Sequence, residues 1–539
     1  VNLRRHLRRA LLAAWLGAAA GAWAQALPSF AELEAAGARV GEIRISPRNI
    51  FDTADPAEDR ALFRLANALH VGTRPEVIRR ALLFASGEPV SARVIEETER
   101  LLRANRYLYD VQIRPLAVRD GVVDIEVLTR DTWSLEPGLS LGRAGGANQG
   151  SLRLREYHLL GTGVSVGLTR RRTVDRLATE YGLEADRLFG TWASVALAYA
   201  ERSDGRHHLI ELVRPFHELD ARWAAGASWR EDNHVDAIYS GGQVQGRHRH
   251  RERRGEVYAG WSAGLVDGWV RRWSVGLALA EDAYAVEPGL AAPPQLPGNQ
   301  KLIVPFVRHE LLEDRYERQV NRNLVGRPEF FALGLGARVQ LGRAWPGAGS
   351  TRAAWLYAGQ VGRGFSPPGG RTLTALARVD GELSDGAPRR QQAGAVLRYY
   401  QPQGPHRLFY AALSADVLLR PDPTVQLDLG GDNGLRGYPL RYRSGTRRAL
   451  LSVEQRFYTD LYLWQLFRIG GAVFADAGRA WGGASATGAG WLGNAGAGAR
   501  IVSVRSAFGS VLHVDLAMPV GAPPDARAWQ FLVSTKTSF

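Results

Sequence analysis

The order of apolar and polar positions divides the chain into two regions. From Val40 to Leu128 the pattern is mixed. Val40, Ile43 and Ile45 read as a first strand, and Leu62, Leu65, Ala66 and Leu69 recur at helical spacing as an inserted helix. Thr73-Arg74-Pro75-Glu76 has the form of a capping box with a proline in the first turn. It opens a helix whose apolar face is Val77, Ile78, Ala81 and Leu82. Ser91 is placed to cap a further helix with Val94, Thr98, Leu101 and Asn105 along one side. Strands Leu108 to Ile113 and Val122 to Leu128 follow, joined across Asp120-Gly121, a strong hairpin dipeptide. The order strand, helix, helix, strand, strand predicts one small α+β domain over residues 38–131, behind a loose leader at 25–37.

After Trp133 helical periodicity stops and two-residue alternation continues to the last residue. Val164, Val166 and Leu168 alternate with Ser165, Gly167 and Thr169, and Val195, Leu197 and Tyr199 with Ser194, Ala196 and Ala198. Leu512, Val514, Leu516 and Met518 alternate with His513, Asp515 and Ala517. One face suits lipid and the other water, which predicts an all-β transmembrane barrel over residues 132–539 with an even number of strands. A soluble β-sandwich alternates too. The unbroken length of the pattern, the tryptophans and tyrosines near strand ends, and basic residues on the inner face favour the membrane. Short turns such as Phe216-His217-Glu218-Leu219 and Val266-Asp267-Gly268 alternate with longer polar stretches such as Arg230 to Arg254, read as an external loop.

The first residues set the compartment. Arg4, Arg5, Arg8 and Arg9 precede an apolar run from Ala10 to Ala20, and Ala22-Trp23-Ala24 supplies a small-x-small cleavage pattern. Residues 1–24 therefore read as a secretory signal peptide, with Gln25 as the mature start. The apolar run is shorter than the ~20 residues of a spanning helix, which argues against a retained anchor. Mean hydropathy is −0.20, too polar for a helical membrane protein, and there is no cysteine. The net charge of +14 is almost all arginine, Lys301 and Lys536 being the only lysines. Basic chains can bind nucleic acid. Here the arginines are scattered through strands and hairpins of an exported chain, so lipopolysaccharide phosphates and acidic partners in the lumen fit better and nucleic acid is not expected.

Arg103-Ala104-Asn105-Arg106-Tyr107-Leu108-Tyr109-Asp110-Val111 lies at a helix-to-strand junction, and Leu159-Leu160-Gly161-Thr162-Gly163 forms an apolar-glycine turn early in the barrel. Late in the chain, Gly430-Gly431-Asp432-Asn433-Gly434-Leu435-Arg436-Gly437-Tyr438 precedes Ser452-Val453-Glu454 and Phe474-Ala475-Asp476-Ala477-Gly478, with about five strands after the loop. In this order the motifs resemble those of the POTRA-plus-barrel outer-membrane proteins. That superfamily includes the BamA/TamA assembly proteins, the two-partner-secretion transporters and the bacterial surface antigen family. The resemblance implies that residues 38–131 are one periplasmic POTRA domain and that the early hairpin carries Leu160, Gly161 and Gly163. It further implies a loop-lumen lock of Arg436, Gly437, Tyr438, Glu454, Asp476 and Gly478, in which the arginine folds back into the barrel onto the carboxylates. It implies a barrel of sixteen strands. Between Asp232 and Gln403, however, about four more strand-like segments occur than that plan holds, which would bring the barrel to twenty. Trp529, Phe531, Val533 and the terminal Phe539 share one face; Trp529, Phe531 and Phe539 resemble the C-terminal sorting signal of bacterial barrels.

The function that follows is assistance to insertion or translocation of polypeptides at the outer membrane. An open sheet edge in the POTRA domain would take extended clients by backbone hydrogen bonds. A seam beside a first strand carrying Gly138, Gly142, Gly145 and Gly146 would open toward lipid. A dedicated two-partner-type secretion pore and a structural or surface-antigen barrel without transport are the alternatives. No enzyme, cofactor or metal is expected. Gly493 to Gly498 lacks the strand-then-helix setting of a nucleotide site. His248 and His250 fall in an arginine-rich stretch, His207 and His208 are adjacent, and His309-Glu310 has no second histidine four residues on. Glu454 and Asp476 are paired acids that an arginine explains better than glycoside chemistry does.

Overall fold

The structure is a computed structural model that describes residues 27–144, 146–323, 325–326, 328–464, 466–483, 490–503, 511–521 and 528–536. The expected signal peptide, Gln25 and Phe539 lie outside the described residues.

The N-terminal region folds in the order α1 (Phe30–Ala35), β1 (Arg39–Arg48), α2 (Ala61–Leu69), α3 (Pro75–Arg79), α4 (Ala92–Arg103), β2 (Leu108–Arg119), β3 (Val122–Asp131). The three strands form one sheet in the order β1-β3-β2, with β1 parallel and β2 antiparallel to β3. The β2–β3 turn falls on Asp120 and Gly121, both in the left-handed region. Along β3, Val123, Ile125, Val127 and Thr129 are fully buried at alternate positions. Their face packs with Val40 and Val111 against Ile78, Ala81, Ile95 and Leu102 of the helical layer.

Three local expectations change. Residues 25–37 are not all loose: Ser29 and Glu32 form a reciprocal capping box that starts α1, and Leu33 anchors it in the core. The capping box expected at Thr73 does not form, because the Asp131 carboxylate takes both Thr73 donors, the backbone N–H at 2.7 Å and the hydroxyl at 2.8 Å. Arg74 is the N-cap residue instead, and Ser91 makes no side-chain cap bond.

From Leu135 onward, twenty strands among the described residues close into one antiparallel barrel. Sixteen is thus corrected to twenty. Five strands follow the long connection at 420–446, as the motifs imply, and the surplus lies before it. Motifs at the end of a chain do not count strands at its start, and closure of an antiparallel barrel asks only for an even number. The stretch Arg230 to Arg254 is not a loop. It belongs to two long paired strands, Trp223–Ser240 and Gln243–Val266, which turn at Gly241-Gly242. Charged residues continue the pairing there because both faces at that level meet water. Gly146, read as part of the first barrel strand, sits in the turn after Leu135–Ala144 with φ +84°.

The outward face records the level of a membrane. Trp223, Trp261 and Trp273 are register neighbours on three successive strands, and each is exposed. Rising from that row, outward positions are apolar as far as Trp229, Gly255 and Leu279, and the next outward row is Glu231, Arg253 and Glu281. From Trp223 to Trp229 is about 20 Å along the strand, close to the ~25 Å apolar band of outer-membrane barrels. No helix among the described residues is long and apolar enough to cross a membrane, which leaves crossing by strands open.

Candidate functional site

The connection at 420–446 folds inward. A short hairpin of Leu427–Leu429 and Arg443–Gly445 forms its neck. Asn433 braces the tip, accepting from Gly430 N–H at 2.6 Å and donating to Asp428 C=O at 2.7 Å. Arg436 is thereby delivered to the lumenal faces of the strands Arg447–Leu463 and Phe467–Trp481, where alternation turns Ser452, Glu454, Arg456 and Asp476 inward.

Arg436 engages two carboxylates. Its Nε and Nη2 donate to Asp476 at 2.8 and 2.7 Å, and its Nη1 donates to Glu454 at 2.8 Å. Its guanidinium lies over the Phe474 ring, 3.4 Å from the centroid. Asp476 also accepts from Ser452 Oγ and Asn494 Nδ2, each at 2.8 Å. Arg436, Glu454 and Asp476 are all buried. The planar fork satisfies one carboxylate with two bonds and keeps a third donor for the other, which a lysine ammonium cannot do in fixed geometry.

The glycines admit the loop to the wall. A Cβ on Gly437 would stand 2.7 Å from Asn494 Cβ and 3.0 Å from Pro519 N. The requirement at Gly437 is therefore close approach rather than a left-handed turn, since its φ is not positive. Gly478 makes room for Leu429, whose Cδ2 would be 2.9 Å from an added Cβ. Tyr438 is fully buried with Leu429, Leu435, Tyr442, Ala480 and Leu492, and its hydroxyl donates to Gly493 C=O at 3.2 Å.

A second segment, which the sequence reading missed, enters from the other end. Between the strands Gln300–Glu313 and Gly336–Ala344, residues Tyr316–Val320 and Pro328–Ala332 pair as a hairpin. Its tip packs Val325 against Tyr400, Leu408, Tyr458, Val502 and Val511. Tyr458 donates to Asn321 C=O at 3.0 Å and Tyr400 to Asn323 Oδ1 at 3.2 Å. Arg456 joins the two inserted segments: its Nη1 donates to Arg322 C=O at 3.1 Å and its Nε to Glu454 at 2.9 Å. Odd hydrophobicity in a connection that should be short and polar was the available signal.

The N-terminal domain docks on the same end as this hairpin. Arg100 lies over the Tyr316 ring at 4.3 Å. The early hairpin meets the domain directly: Gly161, with φ +71°, accepts from Arg74 N–H at 3.3 Å, and Tyr107 stacks on His158 at 4.1 Å. Leu160 is exposed, and Gly163 lies where a Cβ would touch Val77. A like turn, Leu188-Phe189-Gly190, follows one hairpin later, beside Arg187 bonded to Asn105 and Tyr107. The turn at 215–222 offers Leu219 N–H to Glu97 at 2.8 Å and Asp220 to Arg93. At the C-terminus, Trp529 and Phe531 point outward from the strand Gln530–Lys536. That strand meets the first barrel strand through one registered pair among the described residues, Val533 with Arg143, whereas the first two strands share ten pairs.

No protein-family model and no curated protein matches the sequence. Solved structures resemble the fold. CdiB from Escherichia coli superposes with a TM-score of 0.47 at 12% identity, covering 92% of this chain and 76% of that one. BamA from Haemophilus ducreyi lacking POTRA domains 1–3 gives 0.44 at 12%, covering 92% and 85%. CdiB from Acinetobacter baumannii gives 0.44 at 13%, covering 93% and 74%.

Proposed function

We propose that this chain is an outer-membrane barrel that helps other polypeptides into the membrane, with residues 38–131 acting as a POTRA domain on the periplasmic side. The observation that carries the reading is the seam. Val533 and Arg143 are the register partners between the closing strands, and Gly142 brings its backbone to the Val533 carbonyl, 3.2 Å from where a Cβ would stand. The single registered pair among the described residues and the glycine beside it favour this boundary as the one that parts toward lipid. The lumen supports the same choice over a dedicated secretion pore, because two inserted segments meet inside it at Arg456 and Glu454. The outer edge of β2 pairs with no other strand among the described residues, which leaves it free to take an extended client by strand addition. Apolar lipid and lipopolysaccharide surround the barrel in this reading; no cofactor enters it.

The test is a reversible clamp. The chain has no cysteine, so Arg143→Cys with Val533→Cys gives one disulfide across the seam. Outer-membrane and secreted fractions of cells depending on this variant are compared before and after reduction. Client assembly should stop in the oxidised state and resume on reduction. Full activity with the disulfide formed rejects lateral insertion and favours passage through the lumen.

A further inference from the structure

The geometry points to a binding site for a late first-row divalent cation such as Zn²⁺, built from His234, Asp236, His248 and His250 on the long hairpin above the membrane band. His234-Val235-Asp236 and His248-Arg249-His250 lie on strands that pair across Gly241-Gly242, with His234 opposite His250 and Asp236 opposite His248. A two-residue spacing puts each pair on one face, and the register brings the pairs together. One ligand atom from each of His234, Asp236 and His250 lies within 4.8 Å of the others. Donor atoms of a tetrahedral zinc stand about 3.4 Å apart, given bonds of about 2.0–2.1 Å, so small ring rotations bring these three donors to one ion.

The surroundings are those of a metal site rather than of a chance cluster. The imidazoles of His234 and His250 each have one nitrogen turned to an outer carboxylate and the other toward Asp236. His234 Nδ1 lies 2.8 Å from Asp232 and its Nε2 lies 3.0 Å from Asp236. His250 Nε2 lies 3.4 Å from Asp282 and its Nδ1 lies 3.2 Å from Asp236. Carboxylates behind ligating histidines orient the rings and fix the tautomer. Those outer carboxylates are already matched, Asp232 by Arg202 at 2.6 Å and Asp282 by Arg254 at 2.6 Å. Asp236 has no arginine within ion-pair distance among the described residues, so its charge faces the two imidazoles and the space between them. His248 is 2% exposed and neither ring nitrogen has a hydrogen-bond partner, a costly state for a buried polar group unless a ligand takes one of them. Asp236, His248, His250 and Tyr284 line a cavity of about 360 Å³, roofed by Val425, Gln426, Asp428 and Arg441 of the inserted loop. Imidazole nitrogen with one carboxylate selects Zn²⁺, Ni²⁺ or Cu²⁺ over Mg²⁺ or Ca²⁺. The ion would tie the hairpin wall together beside the neck of the loop.

Zinc titration calorimetry on the full chain, folded in detergent and free of any polyhistidine tag, tests this at pH 7.5. One Zn²⁺ should bind per chain, and Mg²⁺ should not compete. His234→Ala with His250→Ala should weaken binding at least 100-fold, Asp236→Asn at least tenfold, and His248→Ala at least fivefold. Asp232→Asn, which touches no ion, should weaken it about tenfold. Heat-modifiable mobility verifies that each variant is a folded barrel. No saturable Zn²⁺ binding by the native chain overturns the site and makes the cluster a histidine–carboxylate network. Affinity unchanged in His234→Ala/His250→Ala overturns it equally, and affinity unchanged in His248→Ala overturns the four-donor form. None of these outcomes depends on whether the seam opens.

Discussion

Arg436 and Asp476 meet as a bidentate pair inside the barrel, with both carboxylate oxygens bonded and the guanidinium seated on Phe474. The pair is buried, so removing one partner leaves an uncompensated charge rather than a solvated one. That costs about 3–5 kcal/mol, compared with at most about 1 kcal/mol for an exposed pair. Arg436→Ala should leave the barrel folded and free the segment 420–446, read as new protease cleavage there on intact cells. Asp476→Ala should behave alike, and the double variant should be little worse than either single one because they remove one interaction. Losses that simply add would mean that the two residues act separately.

Gly437→Ala should release the loop while leaving every charged group in place. The added methyl would meet Asn494 Cβ at 2.7 Å and the Pro519 backbone at 3.0 Å, and backbone cannot swing aside as a side-chain end can. Overpacking of this kind costs about 1–3 kcal/mol. Cleavage at 420–446 in Gly437→Ala should approach that in Arg436→Ala. Native-like resistance would show that the wall yields there.

How much of this was legible in the sequence depends on how local each signal is. Alternation puts Ser452, Glu454 and Arg456 on one face, since strand geometry leaves only two, whereas Asp476 is implied by the motif resemblance. The pairing of Arg436 with Asp476 came from motif resemblance; nothing in spacing alone joins a loop to a strand forty positions away. Asp131 taking the Thr73 donors overrode a local capping signal by a tertiary contact. The charge of Arg230 to Arg254 reads as loop in the sequence, whereas strands that rise above an apolar band are wet on both faces. The cluster of His234, Asp236, His248 and His250 emerges only from the register across Gly241-Gly242, which sets His234 opposite His250 and Asp236 opposite His248.

Docking of the N-terminal domain should respond to pH through Glu97. Burial raises its carboxyl above the ordinary carboxylate range, opposed by the Leu219 N–H and by Arg93. A raised acid binds its proton more tightly when folded, so its ionisation lowers stability at neutral pH. That penalty is relieved as pH falls from above the raised value toward the ordinary one. Glu97→Gln keeps an acceptor for Leu219 N–H and should flatten this pH dependence in thermal unfolding of the domain. Glu97→Ala leaves the buried N–H unpaired and should destabilise docking by about 1–3 kcal/mol. An unaltered pH profile in Glu97→Gln would remove Glu97 from the linkage.

The hairpin at 316–332 should be the main barrier to ions at the end of the barrel where the N-terminal domain docks. It enters from the end where the domain docks, and its tip is held by Tyr400, Tyr458 and Arg456 rather than left in the channel as a mobile strap. Val325 packs there against Tyr400, Leu408, Tyr458, Val502 and Val511 of one arc of the wall. Replacing 316–332 by a short flexible linker should raise single-channel conductance in planar bilayers severalfold. Val325→Asp, which keeps the chain length, should raise it less, by placing a charge against Leu408 and Val511. Arg456→Ala is the informative partner, because it releases the Arg322 carbonyl and one oxygen of Glu454 together. Its effect on loop cleavage combined with Arg436→Ala should fall short of the sum, as expected for residues in one hydrogen-bonded chain. Conductance unchanged by the linker replacement, in a barrel verified as folded, would place the barrier entirely in the external loop.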